Sequence, residues 1–267
     1  MIKGLEDFTP KYHGIFETHS HYNDDAFDED REELLSSLPA LGVEKAICVG
    51  YDLPSSVKAV EIARSFPNVF AAVGFHPENL EDYSEDGIDR LRPLLAAPKT
   101  VAIGEIGLDY HWKEMPKDLQ QRAFVRQLSL ARELDMPVII HAREATEDTL
   151  DILKDFTDVK GVIHCFSGSA ETAKTLVNWG FYIGFTGVLT FKNARHPVEA
   201  CAVIPKERLL LETDCPYMAP IPWRGKRSCS PMIQSVAEKM AEIKGVSPQE
   251  MIDQAAENAR RLFRVEK

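Results

Sequence analysis

Gly14-Ile15-Phe16-Glu17-Thr18-His19-Ser20-His21 begins apolar and ends in two histidines spaced by one residue, and the turn-like Tyr22-Asn23-Asp24-Asp25 follows. The run predicts a short strand that stops at His21. Residues i and i+2 of a strand share a face, so both imidazoles aim at one point, and imidazole is a common ligand of transition metals. The pair alone suits a packed strand equally well. What other strands deliver to the same place decides between the two.

Working outward, strand-length apolar runs are expected at 14–21, 45–50, 69–75, 100–106, 137–142, 161–166, 182–188 and 209–214. Several are nearly continuous, such as Leu209-Leu210-Leu211, as expected when both faces of a sheet are buried. Helical segments lie between them. In 117–135, Phe124, Leu128, Ala131 and Leu134 recur at helical spacing, while Pro54-Ser55-Ser56 and Ser167-Gly168-Ser169 suit the starts of helices over 54–66 and 169–179. After Ser247-Pro248-Gln249-Glu250, residues 251–264 read as a capped amphipathic helix with Ala255, Ala259 and Phe263 on one face. Eight strands alternating with helices predict an α/β fold, a (β/α)8 TIM barrel, over 1–267 as a single domain. A doubly wound open sheet is the alternative, but it more often carries a Gly-rich phosphate turn after its first strand.

Composition is that of a globular chain, with 44% apolar and 27% charged residues among 267. No apolar run reaches the roughly 18 residues of a membrane helix. Met1-Ile2-Lys3-Gly4-Leu5-Glu6-Asp7 lacks a signal-peptide core, so a cytoplasmic location is the expectation, with no membrane and no obligate protein partner. Cys48, Cys165, Cys201, Cys215 and Cys229 are odd in number and widely spaced, against a disulfide framework or thiolate zinc site. Cys165 and Cys215 are expected to pack between barrel and helices. The net charge of −11 argues against a long clamp on duplex nucleic acid but not against a phosphate substrate. Arg224-Gly225-Lys226-Arg227, the local basic patch, reads either as a solvated loop or as a phosphate contact.

In such a barrel the strand C-termini build the active site. Strand one brings His19 and His21, strand four Glu105, strand five His141, strand six His164 and strand eight Asp214. One histidine ending an apolar strand is more often a satisfied polar residue, and one strand glutamate is usually a salt-bridge partner. Six such residues at one end of five strands would be costly to bury unless something paired them. Metal ions are the natural partners. Four imidazoles and two carboxylates suit two ions, with Glu105, midway around the barrel, placed to bridge. The mixed donor set favours zinc, manganese or iron over magnesium.

With these residues in place the chain resembles the TatD-type metal-dependent hydrolases of the amidohydrolase superfamily. The resemblance runs through Thr18-His19-Ser20-His21, Gly74-Phe75-His76-Pro77, Gly104-Glu105-Ile106-Gly107-Leu108-Asp109-Tyr110, His141-Ala142-Arg143-Glu144-Ala145, His164-Cys165-Phe166-Ser167-Gly168, Glu212-Thr213-Asp214-Cys215-Pro216-Tyr217 and Glu257-Asn258-Ala259-Arg260-Arg261-Leu262-Phe263. It implies a phosphodiesterase or deoxyribonuclease acting on DNA or a small phosphoester, with two divalent ions (zinc, manganese or magnesium) as cofactors. His19, His21, Glu105 and Asp214 would hold one ion, and Glu105, His141 and His164 the other. His76 and Arg143, at the pocket mouth, would meet substrate phosphate or support the ligands, and Asp109 and Tyr110 would support the ligands from behind or contact substrate. Two departures stand out. Glu17 replaces the family's usual aspartate, and Arg227-Ser228-Cys229-Ser230-Pro231 replaces a frequent Arg-Asn-Glu-Pro, removing a carboxylate expected at the mouth.

The mechanism expected from these residues is hydrolysis by water activated between the two ions, with Glu105 and Asp214 as catalytic carboxylates. Asp214 accepts or orients the proton. The metals and Arg143 offset phosphoryl charge, and His76 or solvent protonates the leaving group. Hydrolysis of a C–N, lactone or aminoacyl-ester bond by the same site is the alternative. Many binuclear members of the superfamily bridge their metals with a carbamylated lysine on strand four, and Glu105 in that place favours the phosphoesterase branch. A non-catalytic protein stabilised by metal is a further alternative, but structural zinc sites are usually closed and thiolate-rich.

Overall fold

The computed structural model describes residues 5, 8–81, 83, 84 and 86–266. The start of the chain, read above for a signal peptide, lies outside the described residues apart from Leu5. Eight strands run β1 (Ile15–Ser20), β2 (Val43–Val49), β3 (Val69–Val73), β4 (Thr100–Asp109), β5 (Val138–Arg143), β6 (Gly161–Ile163), β7 (Tyr182–Phe185) and β8 (Leu209–Leu211). The helices around them are α1 (Arg31–Ser37), α2 (Leu53–Ser65), α3 (Arg92–Leu95), α4 (Lys117–Leu134), α5 (Thr146–Leu153), α6 (Ala170–Asn178), α7 (Arg195–Val203), α8 (Ile233–Lys244) and α9 (Pro248–Phe263).

The strands pair in sequence order, all parallel. A parallel bridge between Ser20 and Cys215 joins the last to the first. Backbone bonds from His21 N–H to Cys215 O (2.7 Å) and from Asp214 N–H to His19 O (3.0 Å) reinforce it. The fold is the expected (β/α)8 barrel, not an open sheet.

Two apolar layers follow from the inward and outward faces of the strands. Phe16, Ile47, Val49, Ala72, Ala102, Ile139, Val162 and Leu210 fill the barrel, and α9 adds Ala256, Ala259, Leu262 and Phe263 beneath them. The larger layer lies between strands and helices and includes Phe124, Leu128 and Ala131 of α4. Leu134, expected on that face, is exposed because α4 ends there, with Asp135 in the left-handed conformation. No helix among the described residues is long and apolar enough to cross a membrane.

Every strand starts within two residues of its expected run, and β7 ends at Phe185, short of 188, where the turn Gly187–Thr190 follows. β6 and β8 are shorter than 161–166 and 209–214, because Cys165 (φ 45°) and Asp214 (φ 59°) take positive φ and leave the extended conformation. His164 and Asp214 therefore stand just beyond their strands. β4 runs further than expected, to Asp109.

α9 is pinned through Asn258, which is fully buried and donates from Nδ2 to Lys206 O (2.8 Å) and Leu209 O (2.9 Å) at the start of β8. Asn258→Ala leaves two carbonyls without their donor, at a cost of about 2 kcal/mol. Thermal unfolding is expected to show a fall in Tm of roughly 4–8 °C. An unchanged Tm would mean that α9 is held by its apolar face alone.

Candidate metal centre

Two strands break register just where they deliver site residues. β1 pairs Glu17 with Ala46 but Ser20 with Cys48, and β4 pairs Ile103 with Val138 but Ile106 with Ile140. Each irregularity adds a residue on one side and changes which face the following side chains take. On β4 it puts both Ile103 and Ile106 in the outer layer, three apart, and turns Glu105 inward. Gly184 on β7 provides room of another kind, since a Cβ there would lie 2.1 Å from Glu212 Oε1. Only glycine admits that carboxylate.

The Glu105 carboxylate is the hub. Its Oε1 lies 2.8 Å from His164 Nε2, 3.0 Å from His141 Nδ1 and 3.5 Å from His76 Nε2. Its Oε2 lies 3.4 Å from His19 Nε2 and 3.6 Å from His21 Nε2. Asp214 Oδ1 closes the second group, 3.3 Å from His21 Nε2 and 3.7 Å from His19 Nε2. The two histidines of β1 do converge, with Nε2 atoms 3.1 Å apart. All six residues expected to hold metal are thus brought together. Three donor triplets lie within 4.8 Å: His19, His21 and Asp214; His19, Glu105 and His164; His76, Glu105 and His141.

Hydrogen bonds at the outer ring nitrogens decide which inner nitrogens carry lone pairs. His21 Nδ1 donates to Val49 O (2.9 Å), and His141 Nε2 donates to Asp109 Oδ2 (2.8 Å). Once the ring is neutral, each inner nitrogen carries the lone pair that binds a cation, with its ring held in place. His76 is the reverse. Its Nδ1 accepts the Glu78 backbone N–H (3.2 Å), so its proton sits on Nε2 and points at Glu105. It offers the site a donor, not a lone pair.

The electrostatics suit a bound cation. Burial alone would raise the Glu105 pKa, but His164, His76 and His19 together hold it well below the usual carboxylate range. Asp214 is likewise lowered against its burial, first by the His21 hydrogen bond. Burial pushes His19 down to about 4 and His76 to about 3. His21 and His141 go the other way despite burial, to about 9, through Asp214 and through Asp109 with Glu105 respectively. His19 and His164 stack at 3.9 Å, and the Nδ1 of each is buried without a hydrogen-bond partner. Imidazoles packed this closely around two carboxylates suit divalent ions better than shared protons, because a divalent ion puts more positive charge between them without ring–ring repulsion.

A second polar layer lies below. Buried Glu17 accepts from His19 N–H (3.1 Å), Thr213 N–H (2.9 Å) and Thr213 Oγ1 (2.6 Å). It therefore ties β1 to the segment after β8 and does not touch the His19 ring. Glu212, to which the sequence reading gave no role, accepts from Cys165 N–H (2.9 Å) and lies 3.8 Å from His164 Nδ1. Burial raises Glu17 to about 8 and Glu212 to about 7.

Other expectations divide. Asp109 supports His141, as above. Tyr110 faces away from the ligands, donating to Asp148 Oδ2 (2.6 Å). Arg143 ends β5, half-buried and with no ion pair among the described residues, its guanidinium 5.7 Å from the Trp112 ring. Arg227 is a structural cross-link, paired with Asp30 (2.6 Å) and lying 4.7 Å over Phe27. Arg224 lies 4.5 Å over Phe191. Ser228, Cys229 and Ser230 are fully buried, and Ser230 Oγ accepts from the Tyr22 hydroxyl (2.7 Å), so that stretch lies beneath the mouth and not at it. Cys215 packs in the outer layer as expected. Cys165 does not: β6 has already ended, alternation no longer governs it, and its half-exposed thiol meets Thr186 Oγ1 at 3.3 Å.

Comparison with known proteins agrees with this geometry. The family model described as TatD related DNase matches residues 16–264. An uncharacterised metal-dependent hydrolase, YabD of Bacillus subtilis, is 44% identical over 94% of this chain and 99% of its own length. The 3'-5' ssDNA/RNA exonuclease TatD of Salmonella typhimurium is 34% identical over 90% of this chain and 95% of its own. Among solved structures, the TatD homologue YJJV of Escherichia coli superposes with a TM-score of 0.89 at 30% identity, covering 94% of this chain and 98% of that one.

Two outcomes are expected. Asp109→Asn loosens the orientation of His141 and lowers metal affinity roughly 10- to 100-fold in a competition titration with a chelating dye. His21 and His141 hold protons up to about pH 9 in the metal-free protein, so metal loading at pH 7.5 releases protons and affinity rises towards pH 9. Calorimetry in buffers of different ionisation enthalpy reads that release directly. The stability of the metal-free protein follows the same sign. Both folded pKa values exceed the unfolded value of about 6.5. Their contribution is complete below about pH 6.5 and lost as pH rises through about 9. Glu17 and Glu212, raised from the ordinary value near 4.5, add to the same decline. The Tm of chelated protein should therefore fall between pH 6.5 and 9. A flat profile would contradict these protonation states.

Proposed function

Since this chain belongs to the TatD related DNase family, we propose that it is a metal-dependent hydrolase that cleaves phosphodiester bonds of single-stranded DNA or RNA with two divalent ions. The observation that carries this reading is the division of one carboxylate: Glu105 Oε1 faces His141 and His164 while Oε2 faces His19 and His21. A bridging ligand divides its oxygens in this way. The Salmonella typhimurium relative, named an exonuclease on ssDNA and RNA, supports the substrate class.

On this reading His19, His21, Asp214 and Glu105 hold one ion, and Glu105, His141 and His164 hold the other. Divalent ions bound there supply charge against the phosphoryl oxygens and lower the pKa of water towards about 7, the value reached with zinc in the best-known case. Zinc, manganese or iron suits the mixed donors better than magnesium. Asp214 accepts or orients the proton of the attacking water. His76, neutral at working pH, donates its Nε2–H to a phosphoryl or leaving oxygen, and Arg143 adds positive charge from the rim.

The deciding experiment measures cleavage of a labelled single-stranded oligonucleotide alongside lactone and aminoacyl-ester substrates, in zinc, manganese and magnesium. Asp214→Asn is expected to lower kcat on the oligonucleotide roughly 10²- to 10⁴-fold, and Glu105→Ala to lower both turnover and bound metal. Turnover of a lactone or aminoacyl ester with no cleavage of any phosphodiester would sink the reading.

A further inference from the structure

Among the described residues, the tryptophan, tyrosine and phenylalanine side chains are buried or half-buried with two exceptions, Trp112 at 48% exposure and Tyr217 at 54%. Both stand on the C-terminal face of the barrel. Trp112 follows β4 and lies beside the end of β5, with the Arg143 guanidinium 5.7 Å from its ring. Tyr217 follows β8 and lies against β1, its ring 6.4 Å from that of His21. In a closed barrel ordered β1 to β8 these positions are on opposite sides of the mouth, with Glu105 and its imidazoles between them.

The backbone beneath both rings is tied to the site itself, and the Tyr217 ring is held by its hydroxyl as well. The Trp112 backbone N–H donates to Asp109 Oδ1 (3.3 Å), and the other oxygen of that carboxylate accepts from His141. The Tyr217 backbone N–H donates to Asp214 O (2.9 Å), and its hydroxyl donates to Asp24 Oδ2 (3.1 Å). Two large aromatic surfaces are thus presented to water on either side of the site.

Resting on the phosphodiesterase reading above, we infer that Trp112 and Tyr217 are base-stacking platforms, one for each nucleobase flanking the scissile phosphate. Charge points the same way. A chain of net −11 lacks the cations to track a phosphate backbone at length, so affinity must come from another part of the strand. Unpaired bases offer free π-faces, and stacking on aromatic side chains is tolerant of sequence. Bases inside a duplex offer no such face. The rim therefore selects single strands by what it binds.

The test compares a short single-stranded deoxyoligonucleotide with the same strand made abasic on both sides of the scissile phosphate, using metal-loaded protein. The wild type should cleave the base-containing strand with the higher kcat/KM. Trp112→Ala and Tyr217→Ala should each reduce that preference roughly 5- to 150-fold, the span of one lost base–aromatic stack. Trp112→Phe and Tyr217→Phe should largely keep it, and the second of these removes the Asp24 hydrogen bond without removing the ring. Preference unchanged in both alanine variants would overturn the stacking role alone. Hydrolysis of bis(p-nitrophenyl) phosphate with no cleavage of any oligonucleotide by the wild type would overturn the nuclease reading and the stacking together.

Discussion

One buried carboxylate sets the terms for the rest of the molecule. Glu105 is 4% exposed and has imidazole nitrogens within 3.6 Å of both oxygens. No lysine or arginine approaches it among the described residues. A charge so placed is tolerated only when it is paired and its lone pairs are satisfied. The partners come from four other places, the ends of β1, β3, β5 and β6, and only closure of the sheet brings them within reach. The apolar filling of the lower barrel and α9 beneath it keep water from the opposite end. The metal centre is the polar upper layer of an otherwise apolar interior.

That layer is organised downward as well as outward. Val49 O and Asp109 turn the inner nitrogens of His21 and His141 towards the centre, and Glu17 and Glu212 hold the backbone on which His19, Cys165 and Thr213 sit. The support consists largely of acceptors, and the ligands of donors turned outward. This polarity leaves lone pairs facing inward at His21 and His141, where a cation satisfies them. His76 breaks the pattern through a single backbone bond from Glu78. Its proton faces inward at Glu105, so it offers the centre a hydrogen-bond donor and no lone pair.

Strand order, barrel closure and the six converging residues were legible in the chain because they depend on local periodicity and on which residue types end apolar runs. What was not legible depends on pairing at long range. The bulges in β1 and β4 are properties of two strands in register, and nothing in Val101–Asp109 alone states that Ile103 and Ile106 share a face. The Glu17 contacts with Thr213 span 196 residues, so the departure from aspartate was visible while its backbone partners were not. Arg227 looked like a free cation in a basic stretch until Asp30, from the other end of the chain, was beside it. Cys165 was misplaced because alternation was extended past the last residue of β6. Trp112 and Tyr217 drew no attention as stacking surfaces because exposure is a tertiary property.

The centre and the rim recognise different things. On the proposed reading, Glu105, Asp214 and the imidazoles would address one phosphate and the water that attacks it, a chemistry indifferent to what the ester carries. Substrate choice would then reside in side chains that reach past the phosphate, and the exposed aromatics Trp112 and Tyr217 stand on the loops after β4 and β8. The loops after β4 and β8 are anchored to the site through backbone N–H groups, at Trp112 and at Tyr217, which any residue but proline supplies, and Tyr217 adds a hydroxyl bond to Asp24. The centre is thus fixed by side-chain contacts, while the two rim aromatics are tied to it first through their backbone.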